Sequence, residues 1–430
     1  MQNNNNWDTS YEWKAILLLT LAFGLVGMDR FVIGTLWNTI AGDLNLDPGA
    51  IGNLAGLTAF AWGIFAIVFG RLADRWGHRK IIIGAVVLFS LTGGLTGLAS
   101  GMTMFIVIRT LLGVMEGAYT PTSFAAVAAA AKPSRLGALQ GLQQSGISLL
   151  GLAIAPIIAA ALLNAGFSWR MIFILIAAPG FIVAAFLWKV LKNPEDTQGA
   201  AARGIVKETG EISAGDFLIS YLKPFKSYNV PIAAISLLGA MAGLFTLAAF
   251  MPVYLENVLG LPITQMGVVT SAVGFGGFAG QFGWVALSDK IGRKPIAIIG
   301  FAAAAISLYW FLQLDAGAGV IGLFIPLFLT SLFCFGNIAL ITGPITTESA
   351  PAGLVGATIG IVVGLGEIIG GGMGPIVGSF VVPNFGLAGP LWVAFFGMIL
   401  GFICSLFFRE TAPIKVGNVT PGIQESGPVA

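Results

Sequence analysis

The stretch "GRLADRWGHRK" (residues 70–80) returns, shortened, as "ALSDKIGRK" (286–294). Laid over one another, the two put Asp74 on Asp289 and Gly77 on Gly292, 215 residues apart. Two prolines keep nearly the same offset: Pro133 matches Pro351 and Pro156 matches Pro375, 218 and 219 residues apart. The chain is therefore read as two copies of one plan. Each polar stretch follows the second long apolar run of its half.

Working outward, apolar runs bounded by Gly, Pro and charge give twelve predicted spans. They are 14–40, 50–70, 80–99, 102–128, 136–163, 169–190, 229–256, 264–286, 295–313, 319–346, 353–381 and 387–408. A hydrocarbon core of ~30 Å takes ~20 apolar residues per helix. Composition agrees: 57% apolar, 9% charged, mean hydropathy +0.91. A soluble chain of this length needs far more charge. The 60 glycines suit close helix approach in lipid. Cys334 and Cys404 both lie in apolar runs and read as packing residues. A net charge of +2 gives no sign of a nucleic-acid partner.

Among the 21 Lys and Arg, all but Arg30, Arg109 and Arg170 lie at the N-terminus, after spans 2, 4, 6 and 8, or in the tail. This is a positive-inside pattern with both termini cytoplasmic. It leaves the Asn418-Val419-Thr420 sequon on the wrong side for glycosylation. The start, "MQNNNNWDTSYEWK", has no basic n-region, so the first span is expected to be retained. The long polar stretch 191–226 divides the chain. The expected organisation is a six-helix bundle over 1–190, a cytoplasmic linker over 191–226, a second bundle over 227–408 and a tail over 409–430. The linker's end, "DFLISYLKPF", reads either as an interfacial helix or as plain linker.

These features resemble the major facilitator superfamily along the whole chain. "GRLADRWGHRK" is similar to its signature loop between helices 2 and 3. The resemblance implies an all-α membrane protein with twelve helices in two halves about a pseudo-twofold axis, and a site between them. It also implies that Asp74, Arg75 and Gly77, with Asp289, Gly292 and Arg293, latch a cytoplasmic gate. "MDRF" (28–31), "RTLLGVMEGAYTP" (109–121) and "FMPVYLENVLGLP" (250–262) resemble the anion:cation symporter family. That family carries sugar acids and other organic anions. This chain departs from it at "AAKPSRLG" (130–137), and at Trp62, where sugar-acid relatives often have Tyr. Trp62 makes an aromatic or more apolar carboxylate the better fit.

The intramembrane charges carry the chemistry. A charge at the bilayer centre costs at least ~2.5–3.5 kcal/mol, yet Asp29, Arg30, Arg109, Glu116 and Glu367 all fall within spans. Either they pair to fix packing or they line a polar cavity. Asp29 and Arg30 are adjacent and diverge by ~100° on a helix, so one faces the cavity and the other a neighbour. Arg109 and Glu116 share one face two turns apart, ~10 Å along the axis, and both can point at the cavity. Arg30 is expected to grip the substrate, since a guanidinium holds a carboxylate with two parallel hydrogen bonds.

With Arg30 and Arg109 balancing Asp29 and Glu116, an arriving anion leaves one uncompensated negative charge. A proton on Asp29 or Glu116 restores neutrality. Substrate displacing Glu116 from Arg30 would free that acid for protonation. Glu367 reads as a second proton site, as a partner across the halves, or as facing a local water pocket. The second half has no Arg or Lys within its spans. It is expected to read the rest of the substrate through Tyr254, Gln281, Asn337 and Thr342, with Gln143, Gln144 and Trp62 on the near side. Each single polar residue has the alternative of a helix-packing hydrogen bond. Arg170 reads as structural.

The expected function is proton-coupled import of a small organic carboxylate, a sugar acid or an aromatic or aliphatic acid, by a monomer in a bacterial inner membrane. Sodium fits less well, having no readable cage. The sequence shows no nucleotide loop, metal cluster or nucleophile–base set, so neither a cofactor nor an enzyme activity is expected. A drug:proton antiporter, disfavoured by the paired arginines, and an anion-binding sensor are the alternatives.

Overall fold

The computed structural model describes residues 7–46, 50–193, 196–203 and 221–416. Most of the 191–226 linker, the first residues of "DFLISYLKPF", the 418–420 sequon and most of the tail lie outside the described residues.

Twelve long helices are present: α1 (Thr9–Leu44), α2 (Ala50–Trp76), α3 (His78–Thr96), α4 (Met102–Ala130), α5 (136–164), α6 (Trp169–Val190), α7 (Asn229–Asn257), α8 (263–291), α9 (Arg293–Leu312), α10 (319–349), α11 (355–385) and α12 (Gly389–Phe407). Among the described residues, ten stretches are long and apolar enough to cross a membrane. One of them, Val355–Phe407, holds both α11 and α12, and the interrupted α8 is outside the ten. The chain is an integral membrane protein.

Several helices outrun their apolar spans. α2 continues through "RLADRW" to Trp76, and α3 begins at His78. Beyond the hydrocarbon, charged residues are good helix formers, and only Gly77 breaks the run. Its φ of 91° lies where a side chain is strained, and Gly292, between α8 and α9, repeats the device at 119°. Elsewhere Asp8 and Ser168 cap α1 and α6 by accepting from Tyr11 and Met171 amides.

Four helices carry a π-helical segment: α5 at Ile147–Ile154, α8 at Gly280–Trp284, α10 at Ile341–Ile345 and α11 at Gly366–Met373. Those of α5 and α11 occupy equivalent places in the two repeats. Each lies just ahead of a proline, Pro156 or Pro375, which supplies no backbone N–H to the preceding turn.

One buried core runs from Ala15 to Leu191 and takes in Val355, Ile359 and Val363 of α11. A second runs from Val230 to Phe408. Where α2 meets α11 the backbones touch: a Cβ on Gly356 would lie 2.5 Å from the Gly70 carbonyl oxygen. Such contact is how small residues bind helices in lipid.

The two ends of the molecule differ in charge. At the basic end, Glu12 holds the Lys132 amide (2.8 Å) and the Arg135 guanidinium, and Glu410 accepts from the Arg293 amide (2.7 Å). At the opposite end, Asp43 accepts from Arg170 (2.5 Å) and the Trp169 indole (3.1 Å). Arg170 therefore joins α6 to α1. Both cysteines are free, and Cys334 packs toward the Ala240 carbonyl.

Candidate functional site

A cavity of about 80 Å³ lies between the halves. Arg30 of α1 enters it. The glycine contact of α2 with α11 brings Glu367, in the first turn of the α11 π segment, opposite this guanidinium. The two side chains form a fork: Nη1 to Oε1 at 3.3 Å and Nη2 to Oε2 at 3.0 Å. Trp62 of α2 stands 4.4 Å from the guanidinium carbon and Phe245 of α7 stands 5.0 Å away. Guanidinium over aromatic faces is itself favourable. The Arg30 side chain is 13% exposed and Glu367 5%, so the pair is nearly dry.

The remaining polar groups on the wall are Thr120, Gln144, Gln281 and Thr342. Thr120 donates to the Glu116 carbonyl (2.9 Å). Gln144 donates to the Ala339 carbonyl (3.1 Å), and its Oε1 lies 3.0 Å from the Thr342 hydroxyl. Gln281 Oε1 accepts from Ser148 (2.6 Å). The rest of the wall is aromatic and aliphatic, including Phe23, Phe31, Phe124 and Phe335.

Arg30, Trp62, Gln144 and Glu367 thus stand on the cavity, with Gln281 and Thr342. Several other expected contacts do not. Arg109 and Glu116 lie on the α4 face that packs on α2, where a Cβ on Gly113 or Gly117 would strike the Thr58 or Trp62 carbonyl. Only the far end of that face, at Thr120 and Phe124, reaches the cavity. Arg109 instead donates to the Asp29 carbonyl at 2.8 Å and sits 5.3 Å from the Phe173 ring. Asp29 turns away from Arg30 and packs on Gly93 of α3, where an added Cβ would lie 2.7 Å from its Oδ1. Glu116 is fully buried, with neither carboxylate oxygen hydrogen-bonded among the described residues. The partner of Arg30 is Glu367, not Glu116.

Three neutral candidates are also corrected. Gln143 donates to Ser123 (3.1 Å). Asn337 donates to the Ala297 carbonyl (3.0 Å) and accepts from Trp284 (3.3 Å). Tyr254 packs against Phe311, 6.2 Å between ring centroids. All three serve packing within their own half. The sequence reading missed Thr120, Phe31 and Phe245. Phe31 simply follows Arg30, and Phe245 is one phenylalanine among 32 with nothing local to single it out.

At the basic end a second constellation joins the halves. Asp74 accepts from the Gly356 and Ala357 amides, both at 2.9 Å, at the start of α11. Asp289 accepts from the Gly137 and Ala138 amides, at 3.0 and 2.7 Å, at the start of α5. Helix N-termini favour such carboxylates. Each Asp caps a helix of the other half, not the helix that follows it. Arg293 grips Asp289 (2.6 Å) and Glu348 (2.8 Å). Arg75 is half-buried in the last turn of α2. No group of three or more His, Cys, Asp or Glu able to hold a metal occurs among the described residues.

The sequence profile of the Major Facilitator Superfamily matches residues 19–268 and 233–428. Among relatives, the hexuronate transporter of Bacillus subtilis is 29% identical over 65% of each chain. The gentisate transporter of Corynebacterium glutamicum is 25% identical over 88% of this chain and 80% of its own. The crystal structure of the human organic anion transporter MFSD10 (TETRAN) superposes with a TM-score of 0.68 at 16% identity, covering 93% of this chain and 99% of that one. The internal repeat, the twelve helices and a profile that spans both halves have one reading: the chain belongs to the major facilitator superfamily of transporters.

Proposed function

We propose that this protein imports a small organic carboxylate across a bacterial inner membrane by proton symport, through alternating access. The observation that carries the reading is the Arg30–Glu367 fork, which spans the two halves at the cavity. A guanidinium held this way offers a carboxylate two parallel hydrogen bonds. Glu367 occupies the seat that the substrate carboxylate would take.

Charge conservation then supplies the coupling. Substrate on Arg30 releases Glu367 into a nearly dry cavity, where an unpartnered charge is costly. Protonation of Glu367 restores neutrality, so anion and proton move together. Glu116 and Asp29 are second proton carriers in this scheme. Both lie behind the wall, and Glu116 feels the charges of Asp29, Arg30, Arg109 and Glu367. Arg109 acts as a positioning residue by holding the α1 backbone at Asp29.

The Asp74 and Asp289 contacts close the basic end, which the cation distribution assigns to the cytoplasm together with both termini. Rocking the halves apart breaks four amide–carboxylate hydrogen bonds. Loss of the Arg30–Glu367 tie on substrate binding would lower the barrier to that motion.

Uptake of labelled gentisate and D-glucuronate into proteoliposomes with an imposed pH gradient tests this. Wild type should concentrate at least one of them, inward protons driving it. Arg30→Ala should abolish uptake, and Glu367→Gln should retain substrate exchange while losing the response to the pH gradient. Proton-driven accumulation that survives Glu367→Gln would remove Glu367 from the coupling. Accumulation that survives Arg30→Ala would remove the anion seat.

A further inference from the structure

The wall of the cavity bears on substrate chemistry, given the carboxylate reading above. Arg30 answers one carboxylate. The polar groups around it are already engaged with the protein: Thr120 with the Glu116 carbonyl, Thr342 with Gln144 and the Ile338 carbonyl, and Gln144 at both ends of its amide. Beyond the Arg30 guanidinium, one side-chain donor on the wall has no protein acceptor among the described residues: the amide nitrogen of Gln281, whose oxygen accepts from Ser148. The Trp62 indole N–H also lacks an acceptor, but its nitrogen is sealed within the packing. Set against them are the rings of Phe23, Phe31, Trp62, Phe124, Phe245 and Phe335.

We infer that the substrate is a planar aromatic monocarboxylate of benzoate size, bearing at most two hydroxyl groups, and not a polyhydroxy acid. Its carboxylate replaces that of Glu367 on Arg30. Its ring then lies among aromatic faces that reward stacking. A ring hydroxyl meets Gln281 Nε2. A sugar acid brings more hydroxyls than the wall can satisfy, and each one stripped of water without a partner lowers affinity by about tenfold.

The test is calorimetric binding to the purified full-length carrier, with benzoate, gentisate, D-glucuronate and L-tartrate as probes. Benzoate and gentisate should bind about a hundredfold more tightly than D-glucuronate, which leaves two or more hydroxyls unmet, and more tightly than L-tartrate, whose second carboxylate finds no second cation on the wall. Phe245→Leu, which keeps apolar volume but removes the ring, should weaken the aromatic acids several-fold. Quenching of Trp62 fluorescence by gentisate, absent in Trp62→Phe, gives a second readout if Phe245→Leu fails to fold. D-glucuronate or L-tartrate binding as tightly as gentisate would overturn the aromatic assignment and leave the carboxylate seat standing. Binding of none of the four, or undiminished binding of benzoate to Arg30→Ala, would overturn both.

Discussion

The two contacts that close the basic end have the same backbone geometry and unequal surroundings. In both, an aspartate ending the second helix of its half accepts from two amides at the start of a helix in the other half. Four residues after Asp289 comes Arg293, which is 1% exposed and bound to Asp289 and Glu348. Four residues after Asp74 comes His78, whose Nε2 lies 3.7 Å from the carboxylate. The repeat keeps a carboxylate that accepts from two amides of the other half. It varies how firmly each carboxylate is anchored in its own half. On the Asp289 side the loop is further tied to the tail, where Glu410 accepts from the Arg293 and Lys294 amides.

The largest expected effect exposes that inequality. Arg293→Ala strands two nearly buried carboxylates, Asp289 and Glu348, and should cost about 3–5 kcal/mol. His78→Ala should cost about 1 kcal/mol or less. Thermal unfolding of the two variants in the same detergent measures the difference, and equal losses would break the comparison.

Next come the glycines beneath each contact. A Cβ on Gly356 would lie 2.5 Å from the Gly70 carbonyl oxygen, part of a backbone that has no freedom to yield. A Cβ on Gly137 would meet the tips of Arg293 and Asp289, both at 2.6 Å. Gly356→Ala should lose about tenfold or more in uptake, as overpacking of about 1–3 kcal/mol implies. Gly137→Ala should lose less, because side-chain ends can move. The reverse order would mean that the α2–α11 contact is not the stiffer of the two.

A smaller effect is expected from removing one charge. Asp74→Asn and Asp289→Asn should each weaken closure by about 1–3 kcal/mol, because the new NH2 cannot accept and one of the two amides loses its partner. The readout is labelling of a cysteine at position 140, where Gln140 is buried between Phe124 and Thr347. A double variant that labels no faster than either single one would identify the two contacts as one cooperative closure.

The smallest effect lies at the opposite end. Asp43, beyond the Thr9–Trp37 membrane-spanning stretch, is held below its ordinary value near 3.8, first by the Arg170 hydrogen bond and then by the Trp169 indole. A depressed carboxylate contributes stability above its unfolded pKa and loses it only as pH falls through the lower folded value. The pair is exposed, so unfolding profiles of wild type and Asp43→Asn should lie close together, any separation being full above about pH 4 and fading as pH falls below it.

The reading of the site from sequence divides along the same lines. "MDRF" announced intramembrane charge, because a charge in an apolar run is costly whatever the fold. The ~100° between neighbours on a helix separated Arg30 from Asp29, and the structure puts one on the cavity and the other on Gly93. Which acid meets Arg30 was not readable. Glu367 lies 337 residues away and is brought in by glycine contacts that have no local signature. For Arg109 and Glu116, seven-residue spacing fixed a common face. It did not say that α2 and Asp29 would cover that face. Asn337 failed for a related reason: a buried polar group satisfied by its own half looks the same in sequence as one awaiting a ligand. Gln143 and Tyr254 likewise turn to Ser123 and Phe311 of their own halves, contacts that no local pattern announces.

The sequence by itself determined the number of spans, the repeat, the charge asymmetry between the two ends and the turn glycines. Each of these follows from local energetics in lipid: apolar length, charge cost and backbone conformation. Only the tertiary structure decided that Glu367 neutralises Arg30, that Asp74 and Asp289 reach across the axis, and that the cavity wall is aromatic. Pairing between helices depends on which faces pack, and packing is a property of the assembled bundle, not of any one segment.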